Sequence, residues 1–137
     1  MFKLFIAVIS FCTSVSANNS EVDKIINDYL TLKNALVIDN GDSARSSAKI
    51  LFKDLLNFKS KDMSVTQLKV WNRYSEKLSY DAEHIKGTSE LEHQREHFVS
   101  LSENMFKLLK SLNINSSVLY FQFCPMANNG KGANWIS

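Results

Sequence analysis

The chain predicts a mainly α fold, an antiparallel up-down-up-down four-helix bundle with a short C-terminal β-hairpin. Three observations carry this. Apolar residues recur at helical spacing in four separate runs between residues 22 and 112. Short polar breaks separate those runs, so consecutive helices must fold back on one another. After Asn113 the period changes to the alternation of a strand, which runs over residues 118–123 and stops at Pro125, a residue with no N–H to give to a ladder.

The first 17 residues read as a secretory leader. Lys3 supplies the positive charge, residues 4–12 an apolar stretch too short to span a bilayer, and Val15-Ser16-Ala17 a small-residue cleavage site. Phe11 is bulky where a lipoprotein signal carries a small residue, so Cys12 is expected to leave with the peptide. The expected product is an exported, periplasmic or secreted domain over residues 18–137, with no membrane span after cleavage. Sixteen basic against fourteen acidic residues give a formal net charge of +2. Without a clustered basic face, this balance argues against nucleic acid.

Ser20 is a candidate cap for the first helix, which carries Val22, Ile25, Ile26, Tyr29, Leu32, Leu36 and Val37 until Asn40-Gly41 ends it. The second begins near Asp42 and carries Ala44, Ala48, Leu51, Phe52, Leu55 and Leu56 to about Phe58. Ser64 and Gln67 form a capping-box pattern for the third, with Leu68, Trp71, Leu78, Ala82 and Ile85. Ser89 and Glu92 repeat the pattern for the fourth, with Leu91, Phe98, Leu101, Met105, Leu108, Leu109 and Leu112. Met105 lies in the apolar stripe and reads as core packing.

The chemistry lies elsewhere. Cys124, the cysteine expected to survive processing, sits just before Pro125, and Met126 follows within two residues. The Asn128-Asn129-Gly130-Lys131-Gly132 run tolerates positive φ and lets the chain return beside the strand. On the fourth helix His93 and His97 fall within roughly 40° of each other, one turn apart, on the flank of the apolar stripe. That spacing lets two imidazoles share a metal, although solvated histidine pairs are common. His84, in the last turn of the third helix, points away from its apolar stripe and reads first as exposed. The short Gly87-Thr88 connection nevertheless brings it to the same end of the bundle as His93. If the tail folds over the histidine flank, His93, His97, Cys124, Met126 and His84 form one candidate metal site. Thiolate, thioether and imidazole favour copper(I) or zinc over magnesium or calcium, and a thioether leans towards copper(I).

Cys-Pro-Met-Ala-Asn-Asn-Gly-Lys-Gly-Ala-x-Trp, with His93-Gln94-Arg95-Glu96-His97-Phe98 upstream, resembles a bacterial envelope domain family of unknown function. Its members stand alone behind a signal peptide or are joined to adaptor subunits of copper and other heavy-metal efflux systems. The likeness runs from about Val22 to Ser137. Members usually continue into an Asn-Pro-Tyr-aromatic-Gly segment and a Met-Leu-x-Cys-Gly segment, which this sequence does not contain. The resemblance implies an exported heavy-metal-binding protein, copper(I) first and zinc second, with an efflux adaptor or another envelope protein as partner. Two other classes stay open: a structural module that docks on such an adaptor without metal, and a thiol-dependent enzyme using Cys124 with a histidine base.

Overall fold

The computed structural model describes residues 17–114 and 116–137. The expected leader, Cys12 included, lies outside the described residues apart from Ala17. Four helices, α1 (Ala17–Val37), α2 (Gly41–Leu56), α3 (Val65–Lys86) and α4 (Leu91–Leu112), are followed by strands β1 (Phe121–Cys124) and β2 (Ala133–Ile136). The strands pair antiparallel, Phe121 opposite Ile136 and Cys124 opposite Ala133. This is the helical bundle with a terminal hairpin that the periodicities predict. None of the described helices is long and apolar enough to cross a membrane.

The helices begin and end for identifiable reasons, not all of them those expected. At α3 the capping box forms as read: Ser64 Oγ accepts from the Gln67 N–H and the Gln67 side chain accepts from the Ser64 N–H. Helix α1 already runs at Ala17, so Ser20 lies within it and is not its cap. It ends in a Schellman arrangement around Asp39, whose φ is +57°, with the Asn40 N–H reaching Ala35 O and the Asp39 N–H reaching Leu36 O. Asn40 instead starts the next helix, its Oδ1 accepting from the Ser43 N–H at 2.9 Å. At α4 the expected Ser89–Glu92 box is absent. Glu90 holds the cap position without a side-chain bond, and Thr88 Oγ1 takes the Glu90 N–H.

A different polar device organises that end of the bundle. Gln94 is fully buried, and its amide donates to Gly41 O at 2.9 Å and Thr88 O at 2.7 Å, tying the start of α2 to the α3–α4 connection. The Nε2 group is paired twice in this way, while Oε1 is buried without a hydrogen-bond partner among the described residues. Gly41 is placed here for close approach: a Cβ on it would stand 2.0 Å from Ser89 O.

Consecutive helices pack along their lengths, whereas α1 and α4 touch only briefly. The core runs through Tyr29, Leu32, Leu51, Leu78, Ile85, Leu101, Met105 and Leu108, so Met105 is packing, as its stripe implies. The hairpin fills the α1–α4 seam. Ile136 is buried and its N–H donates to Tyr29 Oη at 3.1 Å, Lys33 Nζ donates to Ser137 Oγ at 3.0 Å, and Phe121 stacks on Phe106 of α4 at 3.9 Å. Tyr29 Oη also meets Ser102 Oγ at 2.6 Å, and burial pushes this phenol up to about 12.

Where α1 meets α2, half-buried Asp28 lies beside Asp54, which Lys24 holds at 2.6 Å. Desolvation, with a hydrogen bond to and repulsion from Asp54, pushes Asp28 up to about 6, while the Lys24 hydrogen bond keeps Asp54 low. A carboxyl raised by folding adds stability that is complete below its unfolded value near 4 and is lost as pH rises through about 6. Asp28→Asn keeps a donor for Asp54 and cannot ionise. Urea denaturation is therefore expected to find the variant more stable than the parent at pH 7.5, by about 1 kcal/mol once the group's partial hydration is discounted. At pH 3.5, below the unfolded value, the two should be nearly equal, and a difference between variant and parent that stays constant between these pH values would contradict the pairing.

Candidate metal centre

Short connections and helical phase bring three imidazoles together. His84 in the last turn of α3 and His93 and His97 in the first two turns of α4 each offer a ring nitrogen, and these nitrogens all lie within 4.8 Å of one another. The rings of His84 and His97 stack at 4.3 Å, and His93 stands 4.8 Å from His97 and 6.1 Å from His84 between ring centroids. His93 is exposed, while the other two are half-buried. Tyr80, one turn before His84, closes one side, its ring 4.4 Å from that of His84 and 5.9 Å from that of His97.

Asp81 is the residue that sequence reasoning missed. It is only 4 % exposed, and its Oδ1 lies 3.1 Å from His97 Nδ1. A carboxylate can only accept, so Nδ1 carries the proton and Nε2 is left with the free lone pair. A carboxylate behind an imidazole in this way is the usual support of a metal-ligating histidine, fixing tautomer and ring orientation together. The signal was present in the spacing: Asp81 and His84 are three apart on α3 and therefore share a face.

The donor set fits a borderline transition metal. At a metal–nitrogen distance of about 2.0–2.1 Å, tetrahedral ligand atoms stand about 3.4 Å apart, so the widest pair must close by about 1.4 Å. Side-chain rotation from the surface-exposed His93 can supply that movement. Three imidazoles would leave one position of a tetrahedral ion open to water or an incoming ligand, as in three-histidine zinc sites.

The sulfur residues stand apart from this group. Cys124 ends β1, half-buried, and is not among the side chains gathered with the histidines. Met126 is 84 % exposed in the turn. Their strand is docked through Phe121 on Phe106, which lies roughly 180° around α4 from His97. The expectation that the tail folds over the histidine flank is thus corrected. Residues of α3, namely Tyr80, Asp81 and His84, already cover that flank, whereas the α1–α4 seam offers Ile136 an apolar berth and the Tyr29 hydroxyl.

Fold and site together define a helical-bundle protein carrying three clustered histidines at the α3–α4 end. The chain belongs to the family described as "Protein of unknown function (DUF3347)", whose model matches residues 25–117. That stretch contains all three histidines and Asp81 and stops before the Cys124-Pro125-Met126 turn. No curated protein and no solved structure matches the chain.

Proposed function

We propose that this protein binds a borderline transition metal, zinc(II) or copper(II), through His84, His93 and His97, and that it holds or hands over this ion as an exported protein. The observation that carries the proposal is the buried Asp81 carboxylate behind His97, because a merely solvated histidine patch has no need of one. The copper(I) expectation leaned on Cys124 and Met126. With three imidazoles as the donors, divalent ions are favoured, and copper(II) binds such nitrogen sets more tightly than zinc(II). An incomplete, partly exposed ligand set suits transfer better than permanent storage. A role beside a heavy-metal efflux adaptor follows from the resemblance of the Cys-Pro-Met segment and belongs to the same proposal.

The test is a zinc(II) titration against a chromophoric chelator, comparing the parent with His93→Ala, His84→Ala and Cys124→Ser. Both histidine variants are expected to lose most of the affinity and the cysteine variant none. Binding should weaken as pH falls through the histidine range, because protons compete for the imidazole lone pairs. Equal affinity in all four proteins would end the proposal.

A further inference from the structure

The two-stranded sheet has two edges, and among the described residues only one is covered. Tyr120 and Ser137 exchange both backbone hydrogen bonds, at 2.8 and 3.0 Å. Hydrogen-bonded pairs alternate along an antiparallel ladder, so Gln122 with Trp135 and Cys124 with Ala133 also turn their groups inward. Phe121, Phe123, Asn134 and Ile136 therefore turn theirs outward. On the β2 side the Ile136 N–H is taken by Tyr29 Oη, within the bundle. On the β1 side, among the described residues, no strand pairs with Phe121 or Phe123.

That open edge is also apolar. Val118, Tyr120 and Phe123 are 80 %, 66 % and 62 % exposed, and exposed Met126 follows. Residues 118–127 contain no charged side chain, whereas edge strands left in solvent are usually blunted by lysine or another charge. Pro125, the next outward position, has no N–H, which ends the usable edge at Phe123.

We infer that β1 pairs with β1 of a second copy of this chain, antiparallel about a two-fold axis through Gln122, to form a four-stranded sheet. Under a two-fold axis the same patch meets itself, so position 121 of each copy meets position 123 of the other, and here both positions are phenylalanine. The axis sets Phe121 of each copy opposite Phe123 of the other, giving two aromatic cross-strand pairs and using both outward positions of the strand. An uncharged edge meets itself without repulsion. Sliding the pairing two residues towards the C-terminus would place Pro125 opposite Phe121 and lose a donor. This surface lies on the flank of α4 away from the histidines, so it stands independently of metal binding.

Sedimentation velocity of the purified protein at micromolar concentration, under reducing conditions, is expected to show a dimer, and Phe123→Lys to shift it to monomer. Gln122→Cys in a Cys124→Ser background is expected to cross-link quantitatively on oxidation. Two residues facing each other at a non-hydrogen-bonded antiparallel position have Cα atoms about 4.5 Å apart, within disulfide reach. Tyr120→Cys in the same background should not cross-link, because its two copies stand four residues apart along the strands. A monomer throughout overturns the inference, as does a dimer that cross-links through position 120 and not through 122.

Discussion

Replacing Gly41 by alanine is expected to cost about 3 kcal/mol of folding stability, against the direction that helix propensity alone would give. At the first position of α2, alanine ordinarily gains up to about 1 kcal/mol over glycine. Here the added Cβ would meet Ser89 O at 2.0 Å and Ser89 C at 3.0 Å, both backbone atoms that cannot rotate aside. Either α2 or the α3–α4 connection must move, and overpacking of that kind typically costs 1–3 kcal/mol. The movement also strains the two hydrogen bonds of buried Gln94, each of which would leave a polar group unpaired if broken. Urea denaturation followed by far-ultraviolet circular dichroism reads the effect as a lower midpoint at unchanged slope. The consequence should reach the metal as well. Ser89 lies on the segment that sets the separation of His84 from His93, so zinc affinity should fall in parallel with stability. An alanine variant as stable as the parent would mean that the close contact does not exist in solution.

The second large effect is on affinity. Asp81→Ala removes the acceptor of His97 Nδ1 without removing any of the three imidazoles of the proposed site. Changes to such supporting partners typically lower metal affinity by about 10–100-fold. The expected result is a loss in that range with the histidine set intact, and a smaller loss for Asp81→Asn, whose amide oxygen can still accept. A role in packing alone would predict the reverse pattern, a stability change with unaltered affinity in the folded protein.

Much of this architecture was legible in the sequence because it is written in local patterns. The Ser64–Gln67 box, the four apolar stripes and the change of period after Asn113 each specify one element, and each element formed. The positive-φ run also appears as read, with Asn128, Asn129, Gly130 and Gly132 all in the left-handed region. The departures lie where a local signal met a competing tertiary partner. Ser89 has the sequence of a cap, but its carbonyl is pressed against Gly41 and Thr88 takes the nearby donor. Nothing in the local pattern marks Arg95, yet its guanidinium donates to Leu36 O at 2.6 Å and pairs with Asp39, closing the end of α1.

The same distinction divides the site. His93 and His97 share a turn of one helix, so their proximity follows from spacing. His84 joins them only through the packing of α3 on α4, and Asp81 becomes meaningful only once His97 is placed opposite it. The docking of the hairpin was the least legible feature. Alternation tells which residues share a face of a strand but not which groove that face will enter. The deciding interactions, Ile136 on Tyr29 and Phe121 on Phe106, span 107 residues in the first case and a change of element type in the second.

The most direct measurement of the central claim is X-ray absorption spectroscopy at the zinc edge of the zinc-loaded protein. Three imidazoles and a light fourth ligand predict a first shell of nitrogen and oxygen at about 2.0–2.1 Å, with the outer-shell scattering of imidazole rings. A sulfur scatterer at about 2.3 Å would contradict the account and return the metal to Cys124.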